Sequence, residues 1–466
     1  MNLAAAVFAL ILPIVAWAQT TDDSLSLAEA ERQLFAAPAY QATEQDVRAI
    51  ELDFESRDIV LEPVLVLSGK RIVDHREGYT PLGKTESQLL SATLHKPFST
   101  GTDVSVSPFL ERAFLPALTP NREHDFDWQV LITQNLWQDG FGRSTRLRWR
   151  REESEKRQRL AGALLRRAQL AIDFETLYWD WAFALREIEL RAKNYKRSQE
   201  IFSWVQGRFK RAAAESTDLL QARALMTNRE LQVAVAKENL IQAQARVQRF
   251  VPGAQWRPRL KDLAIERRPE DLVTDWRAEN LAQPQRLELL AAQGEAQAAA
   301  VRADEARESI RPQLALQMAY GKNGIDPTSG TAVKQSFNEN HEYTSVGLVL
   351  STGLDLSREY KQVESARALK ASAEGRRVSL ESEGKAAWPT LLEQIRDLRA
   401  RIVTANSLVD IQLKKNDAEK QRYRTGRTTA FEAITFEQDA ADAEISLWTL
   451  YTLLRKAEAQ ARLFAR

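Results

Sequence analysis

Stepping three and four residues along the chain from Leu219 meets Ala222, Met226, Arg229, Val233, Ala236, Leu240, Ala243 and Val247. The same stepping from Ala433 meets Phe436, Ala440, Ala443, Leu447, Leu450, Leu454, Ala457 and Ala461. Arg229 is the single polar residue in these two seams, and a sustained seam of this period predicts helices that pair along their length. Their many alanines let a partner helix come close. A different period governs other stretches. After Pro312, Leu314, Leu316, Met318 and Tyr320 share one face, and Gln313, Ala315, Gln317, Ala319 and Gly321 the other. From Phe126 to Leu136, Phe126, Trp128, Val130, Ile132 and Leu136 oppose Asp127, Gln129, Thr133 and Asn135. Val346, Leu348, Leu350 and Leu354 oppose Ser345, Gly347, Ser351 and Gly353. Alternation over about ten residues predicts strands, apolar on one face and small or polar on the other, as in a membrane β-barrel or a half-buried sheet. A further strand is expected after Pro63, in Val64-Leu65-Val66-Leu67, although Arg71 interrupts its apolar face.

The two helical seams belong to an internal duplication. At a constant offset of 214 positions, Arg208-Phe209 meets Arg422-Tyr423, Asp218 meets Glu432, Glu230 meets Glu444, Leu240 meets Leu454 and Phe250 meets Phe464. Each half reads as helix, strand, strand, very long helix, turn and helix. The first repeat runs over 19–250, with strands about 63–137, a long helix over 142–207, a turn over 208–218 and a helix over 219–250. A proline-containing segment over 251–280 joins it to the second repeat, 281–466. There the strands are expected about 312–322 and 343–355, the long helix over 357–421, the turn over 422–428 and the last helix over 429–464. Pro389 should kink the second long helix. The stretch from Pro63 to Leu131 is 32 residues longer than the matching one from Pro312 to Leu348. The excess, about 89–108, reads as an additional β-hairpin, inside or outside the main sheet.

Composition narrows the function. The chain has 466 residues, 65 Lys and Arg against 64 Asp and Glu, and a net charge of +1, which argues against nucleic acid as a partner. It has no cysteine, so disulfides, thiolate metal sites and cysteine nucleophiles are excluded. The apolar run from Leu3 ends in Ala16-Trp17-Ala18, and residues 1–18 read as a secretory signal peptide. Strands of this kind in an exported protein point to the outer membrane.

Candidate chemistry is sparse. Gly78-Tyr79-Thr80-Pro81-Leu82-Gly83-Lys84-Thr85 fits the phosphate-loop pattern but stands between expected strands rather than before a helix, so it reads as a polar loop. His75, His95, His124 and His341 are scattered without metal-ligand spacing. There is no G-x-S-x-G elbow, and the carboxylates single out no acid and base pair; no enzyme class, catalytic residue, metal or cofactor site is expected. The basic run Arg143, Arg146, Arg148, Arg150 and Arg151, continued by Lys156, Arg157, Arg159, Arg166 and Arg167, is open to two readings. It is either a solvated helix face or a contact with anionic headgroups just below a barrel.

The duplication, the leader and the turns Arg422-Tyr423-x-x-Gly426 with Glu432 and Arg208-Phe209 with Asp218 together resemble the TolC-like outer-membrane efflux and secretion ducts, over the whole chain after the leader. The resemblance implies a mainly α fold with a membrane β-barrel part: a homotrimer whose helices form an α-barrel tunnel in the periplasm, where most of the chain lies, and whose strands, four per chain, build a shared 12-stranded β-barrel in the lipid bilayer. It implies a passive exit duct of a tripartite efflux pump or type I secretion system, opened by a periplasmic adaptor (membrane fusion) protein that links it to an inner-membrane transporter. Arg208, Phe209, Ala212, Arg422, Tyr423 and Gly426 would form the adaptor-docking tip, and Glu432 and Asp218 the constriction. Two departures stand out. Ala212 replaces the expected glycine, where a Cβ is strained if φ is positive, so that tip is expected to differ in shape, and Ser351-Thr352-Gly353-Leu354-Asp355 lacks the usual proline and glycine pair. The alternative reading is a barrel-anchored coiled-coil structural or adhesive protein, and a weaker one is a periplasmic enzyme.

Overall fold

The computed structural model describes residues 24–57, 61–74, 85–114, 123–253, 256–275 and 283–466. The leader at 1–18 and all but the last residue of the Gly78–Thr85 loop lie outside them. In chain order the helices and strands are α1 (Leu27–Ala36), α2 (Pro38–Arg57), β1 (Val64–Asp74), β2 (Thr85–Pro97), β3 (Thr102–Phe114), β4 (Glu123–Asn135), α3 (Arg143–Lys210), α4 (Ser216–Gln248), α5 (Leu287–Ser309), β5 (Gln313–Asp326), α6 (Ser329–Asn338), β6 (Glu342–Ser351), α7 (Ser357–Gly384), α8 (Ala387–Arg424) and α9 (Ala430–Ala459). Short 3-10 turns and two-residue bridges complete the list. The chain divides into two compact units, one holding the described residues of 43–166 and 276–387, the other those up to 42 and of 167–275 and 388–464.

The first unit contains the sheet. Its six strands run β1-β2-β3-β4-β5-β6, every neighbouring pair antiparallel. The hairpin read as an insertion is β2 and β3, and it lies within the sheet between β1 and β4. One chain thus contributes six strands where the family resemblance implies four. Below the strands, the basic run at the start of α3 is matched by carboxylates of neighbouring helices. Arg143 reaches Glu308 at 3.2 Å, Arg151 reaches Glu305 at 3.2 Å, Arg159 reaches Asp53 at 3.4 Å and Arg166 reaches Asp46 at 3.8 Å. These pairs favour the plain helix-face reading for the residues that make them. Gly294 explains itself by contact, since a Cβ there would stand 2.7 Å from Gln158 N and 2.9 Å from Ser154 O; α5 and α3 approach that closely.

The second unit is helical. At its centre Leu27 and Leu34 of α1 pack on Phe174, Tyr178, Trp179 and Trp181 of α3, closed over by Trp256 and Leu263 from the segment between the repeats. Polar groups in this core are partnered, as burial requires. Tyr178 donates to Leu25 O at 2.8 Å, Trp256 Nε1 donates to Gln33 at 2.6 Å, and buried Glu175 accepts from Trp179 Nε1 and Arg462 Nε, each at 3.1 Å, and from Arg267. Burial also pushes the Tyr178 phenol well above its ordinary pKa.

The helical seams sit as their period predicts. Ala222, Ala236, Ala243 and Val247 of α4, and Ala433, Ala440, Ala443, Leu447, Leu454 and Ala457 of α9, are all buried. The first long helix runs unbroken for 68 residues, about 100 Å at 1.5 Å per residue. The second is interrupted near Pro389 as expected, but just ahead of it: the helix ends at Gly384 and a new one starts at Ala387. Pro389 thereby falls in a first turn, where its missing N–H costs no helical hydrogen bond. Among the described residues no helix is long and apolar enough to cross a membrane.

Candidate functional site

Two regions carry the features that the sequence singles out: the paired helix turns of the helical unit and the face of the sheet. The turns are near copies. In the first, Ala212 N donates to Phe209 O at 2.9 Å and Ala213 N to Arg208 O at 2.9 Å; in the second, Gly426 N donates to Tyr423 O at 3.0 Å and Arg427 N to Arg422 O at 2.8 Å. This paired pattern closes a helix through one left-handed residue. That residue is Gly426 with φ 77° in one turn and Ala212 with φ 55° in the other. The expected change of shape at Ala212 does not occur; alanine adopts the glycine conformation.

The two turns interlock. The Arg208 guanidinium lies 5.0 Å from the Tyr423 ring centre and that of Arg424 4.2 Å from Trp204, so each repeat's arginine rests on the other's aromatic ring. Tyr423 is only 2% exposed and packs with Ile201, Val205, Leu225 and Ile434, so it organises the turn from inside. Phe209, at 41% exposure, and Arg422, whose inner side pairs with Glu419 at 3.2 Å, face outward.

Glu432 stands in the first turn of α9 as half of a reciprocal cap. Its backbone N–H donates to Thr429 Oγ1 at 3.2 Å, and its carboxylate accepts from Thr429 N at 3.2 Å and from the Thr428 hydroxyl. The Thr428 bond, then that of the Thr429 backbone, holds the exposed carboxyl below its usual range. Asp218 is its counterpart on α4, accepting from Glu215 N at 3.3 Å. Behind the turns lie charges that sequence reading had not assigned. Arg229 is buried against Glu437 at 3.2 Å and donates to Gln232 at 2.9 Å. Glu444 accepts from Lys193 at 2.8 Å and Arg197 at 2.9 Å. Burial outweighs the Arg229 charge and raises the Glu437 carboxyl. The available signal was Arg229 itself, a lone arginine in an apolar seam.

In the other unit, the strand register assembles one apolar face from all six strands. Leu65 faces Leu94, Leu94 faces Val106, Val106 faces Val130 and Val130 faces Tyr320. In the next row Val104 faces Ile132, Ile132 faces Met318 and Met318 faces Val346. The opposite face carries Ser68, Ser91, Ser107, Gln129, Gln317 and Gly347. Leu67, Val346 and Leu348 are 71%, 70% and 67% exposed, so towards both edges of the sheet the band is bare among the described residues, whereas Phe337 of α6 lies over Trp128 and Phe126 on the same face. Arg71, which breaks the pattern of β1, pairs with Glu86 at 2.6 Å in a polar row with Gln88, Arg112 and His124 beyond the apolar rows. Aromatic rings gather at the same end, with Phe337 of α6 stacked on Trp128 at 5.7 Å and Tyr320 edge-on to it at 5.8 Å. Among the described residues no group of three His, Asp or Glu side chains has the geometry to hold a metal ion.

A sheet apolar on its outer face, together with a duplicated set of very long helices, defines an outer-membrane channel fold, and solved structures of such channels superimpose on this chain. VceC of Vibrio cholerae, an outer membrane protein, matches with a TM-score of 0.61 at 13% identity, over 93% of this chain and 95% of its own. The outer-membrane channel OprN matches with 0.59 at 15% identity, over 94% and 89%. The outer membrane channel MtrE of Neisseria gonorrhoeae, in its open state, matches with 0.57 at 14% identity, over 94% and 87%. No protein-family model matches the sequence, and no curated protein matches it. The chain has the TolC-like channel fold.

Proposed function

We propose that this chain is the outer-membrane exit duct of an efflux or secretion machine: a passive homotrimeric channel whose barrel lies in the outer membrane and whose helices reach into the periplasm. The observation that carries the reading is the apolar band that crosses all six strands, opposite a face rich in Ser, Gln, Thr and Gly that also admits Val66, Phe109 and Leu131. Lipid on one side and water on the other is the environment that such a sheet needs. The VceC, OprN and MtrE structures support it as proteins with this fold that are named as outer-membrane proteins or channels. Leu220, Leu231, Val235 and Ile241 of α4 stand 49% to 69% exposed, apolar surface that further copies of the chain would bury.

In this reading a periplasmic adaptor docks on the paired turns, and an inner-membrane transporter supplies the energy through it. Arg208, Phe209, Arg422 and the residues around Ala212 and Gly426 form the docking surface, with Tyr423 holding it in shape. Glu432 and Asp218, repeated by three-fold symmetry, line the constriction. Single-channel recording in planar bilayers tests the reading directly. Purified protein should crosslink as three chains and form stepwise conducting pores; a monodisperse, helical monomer that conducts nothing would overturn it, and would leave the structural or adhesive alternative.

A further inference from the structure

The sheet of one chain is open at both ends, and its two edges fit each other. β1 and β6, of 11 and 10 residues, are the terminal strands of a six-stranded antiparallel meander. Because the strand number is even, the first and last strands run in opposite directions, so β1 of one copy meets β6 of the next as an antiparallel pair. An open edge in hydrocarbon is not tolerated, and closure is the only remedy.

The hairpin β2 and β3 belongs to this wall. Its outward residues Leu94 and Val106 carry the row from Leu65 of β1 to Val130 of β4, and Leu90 and Leu110 carry the next towards Phe126, while Lys96 ends the row of Val104 at the hairpin's turn side. Its turn is also built into the junction between β4 and α3. Asn135 N donates to Gly101 O at 3.0 Å, and a Cβ on Gly142 would stand 1.8 Å from Ser99 O. A hairpin swung outside the wall would tear both contacts and leave β1 without its partner. The arc lengths agree too. Six strands tilted by about 40° at ~4.8 Å spacing cover roughly 38 Å of circumference, whereas four would cover only about 25 Å. The four long helical stretches of the same unit, in α2, α3, α5 and α7, need roughly 36 Å at ~9 Å apart.

We propose that the barrel formed by this chain has eighteen strands, six from each of three copies, closed by β1 of one copy pairing with β6 of the next. The proposal rests on the trimeric-duct reading and changes its bore, since a barrel of this size encloses an open aqueous lumen. The occupant of each free edge is a second copy of this chain.

Electron microscopy of the detergent-extracted protein, with its chain number set by native mass spectrometry, should count eighteen strands in a three-chain ring. The chain has no cysteine, so engineered pairs report cleanly. Leu67→Cys combined in turn with Val346→Cys, Leu348→Cys and Leu350→Cys should yield disulfide-linked dimers and trimers for at least one pairing, and Leu110→Cys with the same partners none. Three chains with twelve barrel strands and the hairpin outside, or crosslinks from Leu110 and none from Leu67, would overturn the proposal and leave the duct reading standing. A two-chain barrel of twelve strands would overturn both.

Discussion

The two helix turns of the helical unit share a hydrogen-bond pattern and differ in what supports it. The second has glycine at its left-handed position and a reciprocal cap from Thr429 and Glu432. The first forces alanine into the left-handed region, and its returning helix starts from Glu215, which forms a reciprocal cap with Asp218 in place of the threonine and glutamate pair. Behind the first turn the seam of α4 carries buried Arg229, where the offset position on α9 is Ala443. The second repeat therefore keeps the backbone-optimal turn and a purely apolar seam, and it lends Glu437 to satisfy the first repeat's arginine. The difference teaches that turn shape is dictated by the helix-ending hydrogen bonds and survives an unfavourable residue, whereas side-chain chemistry around it is free to diverge. Under the proposed docking reading, the second turn is the one expected to carry more of the adaptor contact.

The largest effect should come from breaking the second turn. Arg422→Glu with Gly426→Trp adds a bulky side chain at a left-handed position and reverses the exposed charge beside it. Export by cells that express the chain with its adaptor and pump should be abolished, with trimer yield in the outer membrane unchanged. The matching pair in the first turn, Arg208→Glu with Ala212→Trp, should leave partial export. Equal loss from both would mean that the adaptor reads the turns alike.

Next is the buried charge. Arg229→Ala leaves Glu437 buried and unpaired and should destabilise the protein by about 3–5 kcal/mol in urea unfolding, whereas Arg229→Met with Glu437→Leu should recover most of that loss. The sign with pH follows from the raised carboxyl of Glu437. Its contribution is fully present below the unfolded value of 4.5 and is lost as pH rises through the higher folded value. Wild type should therefore gain stability relative to Glu437→Gln on acidification from neutral pH towards 4.5. A parallel pH profile in the two proteins would remove Glu437 as the cause.

How much of this was legible depended on the range of the interactions involved. The seams of α4 and α9 could be read because a helix writes its burial into spacings of three and four, and the burial of Ala222, Ala236, Ala440 and Ala443 follows that spacing. The surplus of 32 residues marked the extra hairpin, but its place between β1 and β4 depends on pairings such as Val106 with Val130, which no local pattern encodes. Arg71 and Arg229 looked like faults in their elements because their partners, Glu86 and Glu437, lie on other elements. Pro389 was visible, but the break placed ahead of it at Gly384 was not, since a proline reads alike in a kink and in a first turn. Tyr423 looked like docking surface because its neighbours Ile201, Val205 and Leu225 are distant in sequence.

A smaller and more discriminating contrast is Glu432→Ala against Asp218→Ala. If Glu432 rings the constriction, its loss should weaken cation selectivity and block by multivalent cations in reconstituted channels, with Asp218→Ala weaker in both. As a cap, Glu432 must also stabilise α9. Its lowered carboxyl pKa implies stability that is present above the unfolded value of 4.5 and lost as pH falls through the folded value. Recording both quantities on the same variant separates the roles: a lower melting temperature with unaltered selectivity and block would leave Glu432 a cap alone.

The smallest expected effect tests the comparison at its root. Ala212 holds φ 55° with a Cβ that glycine would lack, and Gly426 holds φ 77° with nothing within 4 Å of the position a Cβ would take. Steric contact is thus absent from the second turn, and Gly426→Ala isolates the backbone cost, about 1 kcal/mol for a left-handed alanine. Ala212→Gly should return a similar amount, reduced by the greater freedom that glycine restores to the unfolded chain. The double swap should then leave the melting temperature close to wild type, because the two sites share no side-chain contact and such changes add. If Ala212→Gly instead destabilises, the methyl group has a packing role that outweighs its strain, and the first turn is adapted to alanine rather than tolerant of it.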